Sequence, residues 1–384
     1  MDEPLYLDTA ATTPVRREVL EAMWPYLTGD FGNPSSHHQL GERAAHAVQE
    51  ARSAVAAQLG CRPSEIVFTS GGTEADNLAI KGIALGDARG LHLVTTRIEH
   101  EAVRESADYL RRLHDFEVTE LPVDAEGRVA PGELAAVLRE DTTLVSIQHA
   151  NNEIGTVQPI RELAAVARYA GVPFHTDAVQ SAGTLDVGLA ALGVDAVSIA
   201  GHKLGAPKGI GALAVRAALP LEPLLHGGGQ ERGRRSGTEN VAGAVALATA
   251  LTLAGRERPL HAERVTAARD TLIDGVLARV PGAILTGSRH DRLPNHASFC
   301  FPGTSGEAVL LELEARGIVC SSGSACAAGS DEPSPVLLAL GIPPAVAQTA
   351  VRFTLPSEVT ADQASEVVER VVSAVSAVSG LSSR

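Results

Sequence analysis

Between residues 40 and 216, short apolar runs alternate with helical segments, and this alternation constrains the fold more than any other feature of the chain. Gly41–Leu59 carries helical apolar spacing, and Glu65-Ile-Val-Phe-Thr-Ser70 is strand-like and ends at Gly71-Gly72. Thr73–Leu85 is helical again and Leu91–Thr95 returns to strand. A helix from His100, a strand at Phe116–Leu121, a helix from Pro131, a strand at Thr143–Gln148 and a helix from Ile160 keep the rhythm. Strands at Val172, Ala196 and Gly211–Arg216 follow. Repeated βαβ units imply a mostly parallel sheet with helices on both faces. Continuous apolar strands, rather than alternating ones, fit burial on both sides.

Past the helical stretch 239–279 the pattern changes. Strands at Ala283, Ala297–Phe301 and Ala350–Leu355, with helices from Gly306, Ser334 and Thr360, predict a smaller α+β domain. The expected fold class is therefore α/β, with a large domain over residues 15–255 and a small domain built from 1–14 and 256–384. The arm Tyr6–Pro14 is expected to lie across the small domain or the mouth of the active site.

Composition narrows the function. Hydrophobic residues make up 45% of the 384, but aromatics only 3%, so the core is aliphatic and suits a helix-covered sheet. A net charge of −14 argues against a general nucleic-acid or membrane surface, either of which needs clustered positive charge. Val241–Gly255 is the longest apolar stretch, but it is Ala-rich, holds two threonines and is short for a bilayer, so it reads as a buried helix. Met1-Asp-Glu-Pro shows no secretory signal. Four scattered cysteines (Cys61, Cys300, Cys320, Cys326) without a CxxC predict neither a disulfide framework nor an intrinsic metal site. A reducing cytoplasm is the expected location.

The chemistry gathers at strand ends. Asp195-Ala-Val-Ser-Ile-Ala-Gly-His-Lys203 is a buried strand that breaks at Gly201 and presents Lys203. The preceding strand-like run, Val172–Gln180, delivers Asp177 and Gln180 in the same way. Ligands of parallel α/β sheets bind at these C-terminal strand edges. A lysine meeting an aspartate there points to pyridoxal 5′-phosphate, the amine making a Schiff base and the acid keeping the pyridine nitrogen protonated.

Ser70-Gly-Gly-Thr-Glu74 lies between strand and helix, where free N–H groups and the helix dipole could hold a phosphate. An ordinary glycine-rich βα turn would look the same, and the P-loop ending is missing. His100 opens a helix and could stack on a ring or move protons, or it could be a plain N-terminal-turn histidine. Asn151-Asn-Glu-Ile-Gly155 offers amides to a cofactor or carboxylate, or simply makes a turn. Arg352 sits inside an apolar strand and needs a partner, for which a substrate carboxylate is a natural choice. Cys326 lies in Cys320-Ser-Ser-Gly-Ser-Ala-Cys-Ala-Ala-Gly-Ser330, a small and polar stretch composed like an exposed loop, where a thiolate could act as nucleophile.

With these residues the chain resembles the cysteine desulfurases, in the class V aminotransferase branch of the fold type I pyridoxal-phosphate enzymes. The motifs run almost from end to end. They are Leu7-Asp-Thr-Ala-Ala-Thr-Thr-Pro14, Phe31-Gly-Asn-Pro-Ser-Ser36, Thr69–Glu74, Glu99-His100, Asn151–Gly155, Asp177–Gln180, Gly201–Lys203, Arg235-Ser-Gly-Thr-Glu-Asn240 and Ser321–Cys326. The last, with Glu332-Pro-Ser334 after it, is similar to the group I loop, here about 320–333.

The resemblance implies Lys203 as Schiff-base lysine, Asp177 as partner of the pyridine nitrogen, Gln180 as donor to the phenolic oxygen and His100 as stacking and catalytic histidine. It implies phosphate contacts from Gly72, Thr73 and His202, and from Thr238 to the neighbouring subunit of a homodimer. Asn152 matches a position at cofactor and substrate, and Arg352 one at the substrate carboxylate. Cys326 matches the residue that takes sulfur from L-cysteine as a persulfide, leaving L-alanine, for delivery to a sulfur-acceptor protein such as an iron–sulfur scaffold. No metal is held for the chemistry, although Cys326 could contact a cluster during transfer. Selenocysteine lysis, aminotransfer or kynurenine cleavage would use a similar set. A sulfur carrier or assembly partner on an inactive fold is the reading outside enzymes. Two departures stand out. Ala200 replaces a serine common in relatives, removing a hydrogen bond worth about 1–2 kcal/mol to a charged acceptor. The chain ends at Arg384, without the longer tail that some relatives use to dock a scaffold, which leaves the docking partner open.

Overall fold

A computed structural model describes residues 4–86, 89–323 and 332–382. Among them run the strands β1 Leu5–Tyr6, β2 Ile66–Thr69, β3 His92–Thr96, β4 Glu117–Leu121, β5 Thr142–Ser146 and β6 Phe174–Asp177. β7 Ala196–Ala200, β8 Gly211–Val215, β9 Ile284–Leu285, β10 His296–Cys300, β11 Ile318–Val319 and β12 Ala350–Thr354 follow. The main sheet has seven strands in the order β2-β8-β7-β6-β5-β3-β4. β4, β3, β5, β6 and β7 pair in parallel, and only β8 runs against its two neighbours. The C-terminal ends of β2, β3, β5, β6 and β7 therefore share one edge of the sheet.

In the main sheet, β2, β3 and β5–β8 bury both faces, successive residues pointing to opposite sides, while the edge strand β4 stays largely exposed. Val67 packs beneath the helices Gly72–Gly86 and Glu101–Leu113, with Leu78, Val103 and Leu110. Its neighbours Ile66 and Phe68 point the other way, to Val48, Val55, Leu163 and Leu247 of the helices Gln39–Gln58, Ile160–Tyr169 and Val241–Arg279. This two-faced burial explains the unbroken apolar runs of the sequence.

A separate core surrounds the three-stranded sheet β12-β10-β9, with Phe299, Phe353, Leu272, Val276 and Val371. Helix Val241–Arg279 serves both: Leu247 and Leu251 belong to the first core, Leu272 and Ile273 to the second. The N-terminal arm joins them too. Leu5 and Tyr6 pair in parallel with Ile318 and Val319, and Thr354 N–H donates to the Leu7 carbonyl at 2.8 Å. The arm then crosses to the main sheet, where Thr13 N–H donates to the His202 carbonyl at 2.9 Å. The arm therefore runs from the second core to the end of β7.

Most element boundaries fall within two residues of the sequence reading, and the differences have local causes. β5 stops at Ser146 rather than Gln148, because the Gln148 N–H turns to the Glu99 carboxylate at 3.0 Å. Helix Arg17–Thr28 was not expected; it holds Pro25 and fully buries only Val19, with Met23 and Tyr26 half-buried beside it against the first core, so its apolar face is narrow. β1 and β11, two residues each, are too short to carry a period.

Candidate active site

Five loops meet at the shared sheet edge. Lys203 closes a turn of 3-10 helix directly after β7, and Asp177 is the last residue of β6 beside it. Lys203 Nζ donates to the carbonyls of Ala10 and of Ala11, the latter at 2.7 Å. Gln180 Nε2 donates to the same Ala10 carbonyl at 3.1 Å. The arm thus gathers two predicted site residues by its backbone oxygens. Burial and nearby Arg352 lower the Lys203 amine to about 8, against the opposing pull of Asp8 and Asp177. Lys208, the other lysine of the segment, is exposed.

Asp177 is buried and accepts a hydrogen bond from the Val179 N–H at 2.8 Å. Burial pushes its carboxyl upward, while His100, the Val179 N–H and Lys203 pull it back. Deeper on the same face of the sheet lies a polar cluster. His175 bonds Ser146 Oγ and Ser198 Oγ, each at 2.9 Å, with Asp76 Oδ1 3.8 Å away. Burial and Asp177 raise Asp76, and burial raises Glu99 to about 8, which leaves Asp177 as the carboxylate with cationic neighbours. A buried acid so placed favours a cation against it, as a protonated pyridine nitrogen would be.

His100 caps helix Glu101–Leu113, its Nδ1 accepting from the Ala102 N–H at 3.1 Å. A neutral ring with that acceptor carries its proton on Nε2. His100 is exposed at the edge near Asp177.

The turn after β2 opens helix Gly72–Gly86, 15 residues whose first N–H groups face the same edge. A Cβ at Gly72 would lie 2.7 Å from Val179 Cγ2 and 3.4 Å from the Ala200 methyl, so any larger residue would force Val179 to shift. The same contact shows that position 200 faces the turn, where a serine hydroxyl would have reached it. Thr73 is exposed on the first helical turn. His202 stands across the site with Nδ1 3.2 Å from Thr12 Oγ1, held neutral at about 4 by burial and Lys203. Thr238 is exposed on the segment that follows β8.

Arg352, on β12, is buried, but its partner is protein. Nη2 donates to Asp8 Oδ1 at 2.5 Å, and Nη1 to the carbonyls of Asn152 at 2.9 Å and Gly323 at 3.1 Å. Nε is buried without a partner among the described residues. The Asn152 carbonyl also accepts from His296 Nε2 at 3.1 Å, so that residue contributes backbone here. Sequence reasoning missed Asp8, whose motif, Leu7-Asp-Thr-Ala-Ala, was the available signal.

Cys326 lies outside the described residues. Cys320, six positions upstream, packs half-buried against the second core, and burial and Asp8 push its thiol up to about 12. Cys61 and Cys300 are both raised to about 11, chiefly by burial. A cavity of about 1230 Å³ opens along the arm, lined by Lys203, Gln180, Arg16, Glu257 and Arg370. It shares Lys203 and Gln180 with the site but not Asp177, His100 or Arg352, so it is not where the chemistry converges.

The model of the class V aminotransferases matches residues 5–367. The chain belongs to the class V aminotransferase family. It is 46% identical over 383 residues to the cysteine desulfurase IscS of Dictyoglomus turgidum, covering 99% of this chain and 97% of the relative. A solved NifS-like protein superimposes with a TM-score of 0.90 at 37% identity, covering 97% of this chain and 99% of the other. SspA in complex with cysteine gives a TM-score of 0.80 at 38% identity, over 92% and 99%. Within its family the chain groups with the cysteine desulfurases. Their cofactor is pyridoxal 5′-phosphate. The residues present fit it: a neutralisable lysine, a buried acid, and a helix N-terminus whose close approach a Cβ would block.

Proposed function

We propose that the chain converts L-cysteine to L-alanine and passes the sulfur through a persulfide on Cys326. The observation that carries this reading is the meeting of Lys203 and Asp177 at adjacent strand ends, with Arg352 held beside them by Asp8. In this reading Lys203, Asp177, Gln180, His100, Gly72, Thr73, His202 and Asn152 surround the cofactor. When bound, that group draws off electron density from the substrate Cα.

Arg352 grips the substrate carboxylate, fixing which Cα bond faces Lys203. Lys203 Nζ, neutral above about 8, takes the Cα proton. Asp177 would pair with the pyridine nitrogen and keep its proton in place. The Cys326 thiolate attacks the substrate sulfur, the S–S bond forms, and the C–S electron pair stays with carbon, which is protonated to give alanine. His100 supplies a proton at this edge of the site, a role supported by its Nδ1 being taken up by the Ala102 N–H, which leaves Nε2 free to act.

The division into a large domain over 15–255 and a small domain from 1–14 and 256–384 is part of the proposal. The two separate cores support it. So is a homodimer, supported by the apolar stripe Leu20, Trp24 and Leu27 on helix Arg17–Thr28, spaced on one helix face and exposed. The sulfur acceptor is proposed as an iron–sulfur scaffold or similar protein, and the setting as cytoplasmic. No helix among the described residues is long and apolar enough to cross a membrane. The direct test is to incubate purified protein with L-cysteine or L-selenocysteine and a thiol reductant. Sulfide and alanine in equal amounts from cysteine are expected; turnover of selenocysteine alone would replace this reading with the lyase.

A further inference from the structure

We propose that Glu74 and Arg235 are positioning residues for the cofactor's phosphate, one ion pair that both shapes the glycine turn and cancels a charge the phosphate would otherwise meet. The proposal rests on the phosphate lying at Gly72 and Thr73. The two residues come from different motifs, Thr69–Glu74 and Arg235–Asn240, and neither has a part in the chemistry described above.

Glu74 stands in the first turn of helix Gly72–Gly86. Its Oε2 accepts the Ser70 N–H at 2.7 Å, closing the turn back on itself across Gly71 and Gly72. The same carboxylate receives Arg235 through two arms, Nε to Oε1 at 2.8 Å and Nη2 to Oε2 at 3.3 Å. Both side chains are largely covered, 14% exposed for Glu74 and 23% for Arg235. Burial opposes ionisation of Glu74, but Arg235 and the Ser70 N–H outweigh it and hold the carboxyl below its ordinary range. An anionic carboxylate next to the N–H groups that receive a phosphate dianion would repel it. A two-armed guanidinium removes that repulsion while leaving the turn closed.

Arg235 is itself fixed from the other side. Glu231, four residues earlier, is buried and receives Arg52 at 2.6 Å and 2.8 Å. Glu231 and Arg232 hold left-handed backbone angles, with φ of 49° and 60°, so the chain bends sharply before it reaches Arg235. Gly237 N–H donates to Gln230 Oε1 at 2.9 Å. These ties also set the place from which Thr238 leaves the surface. The glycine turn and the segment 230–237 are therefore built as one unit, joined at Glu74 and Arg235.

The charge argument predicts an asymmetry that simple loss of a structural contact does not. Arg235→Gln leaves Glu74 uncompensated beside the phosphate, whereas Glu74→Gln leaves no anion. Full-length protein stripped of cofactor is titrated with pyridoxal 5′-phosphate and with pyridoxal, which lacks the phosphate. Arg235→Gln should weaken binding of the phosphorylated form about tenfold and leave pyridoxal within about twofold, by the usual scale of one charge-assisted interaction. Glu74→Gln should cost less than Arg235→Gln, and the double variant should regain most of the loss. Thr73→Val serves as control for the site itself. If it weakens the phosphorylated form but Arg235→Gln does not, the pair is irrelevant and the phosphate site stands. If Thr73→Val changes nothing, the phosphate site is wrong. Equal losses for pyridoxal and its phosphate would show a merely structural role and overturn the proposal, as would a misfolded Arg235→Gln alongside a Glu74→Gln no weaker than the parent protein.

Discussion

Asp8 and Arg352 stand 344 positions apart in sequence, yet Asp8 Oδ1 lies 2.5 Å from Arg352 Nη2. The arginine proposed to grip a substrate carboxylate already holds one. This offsets part of the cost of a buried guanidinium and keeps its plane fixed before substrate arrives. It also makes Asp8 a rival of the substrate. Asp8→Asn keeps the shape and removes the charge, so the KM for L-cysteine should fall about threefold in that variant. Arg352→Gln should raise KM about a hundredfold, the scale of losing a two-armed charge-assisted contact. Steady-state kinetics on both variants checks this, and a raised KM in Asp8→Asn would remove Asp8 from the role of competitor.

The lowered Lys203 amine gives a pH dependence with a definite sign. Only the neutral amine reacts with the cofactor's aldehyde, and the amine is a base whose value is lowered to about 8. Uptake of pyridoxal 5′-phosphate by stripped protein should therefore accelerate as pH rises through about 8 and level off above it. An ordinary lysine would still be accelerating above 10. Because Asp8 raises the amine and Arg352 lowers it, Asp8→Asn should shift the midpoint downward. Stopped-flow absorbance across pH 6.5–10 measures it, on the scale of ordinary lysine and histidine titrations, roughly that window.

What the sequence made legible was whatever is encoded locally. Strand ends, the lysine after β7 and the acid that ends β6 are written in consecutive residues, so the main sheet and Lys203, Asp177 and Gln180 could be read directly. Asp8 was not read this way, since a single acid in the nine-residue arm Tyr6–Pro14 has no periodicity and its partner is on β12. Ala10 and Ala11 act through carbonyls, which every residue has. Glu74 and Arg235 lie 161 positions apart and meet only after the sheet is assembled. The polar cluster of Asp76, His175 and Ser198 looked like ordinary strand and helix residues until the register of β6 and β7 brought it together.

The four cysteines should differ in reactivity. Cys61 and Cys300 at about 11 and Cys320 at about 12 are thiols at neutral pH, and alkylation proceeds through the thiolate. Iodoacetamide at pH 7.5, used briefly, should label Cys326 and spare the other three. Cys320→Ser should stay active, and Cys326→Ser should keep its cofactor yet release no sulfur. Rapid labelling of Cys320 on peptide mapping would contradict this ordering.

Hybrid dimers test whether sites are shared. Subunits carrying Lys203→Ala are mixed with tagged subunits carrying Thr238→Ala, and the cofactor affinity of the purified hybrid is measured. If Thr238 completes the neighbour's site, one site is doubly damaged and one intact. Two singly damaged sites, or an active monomer, would show that the segment serves its own subunit.

The central claim is that sulfur from L-cysteine passes to Cys326. Trypsin would release Gly317–Arg352 as one peptide holding both Cys320 and Cys326, so fragmentation must locate any added sulfur between them. Protein treated with one equivalent of L-cysteine, without reductant, is alkylated at once and mapped by mass spectrometry. The account predicts one extra sulfur atom on Cys326, in an amount matching the alanine formed, and none on Cys320. Alanine and sulfide appearing with Cys326 unmodified, or the extra sulfur found on Cys320, would contradict it.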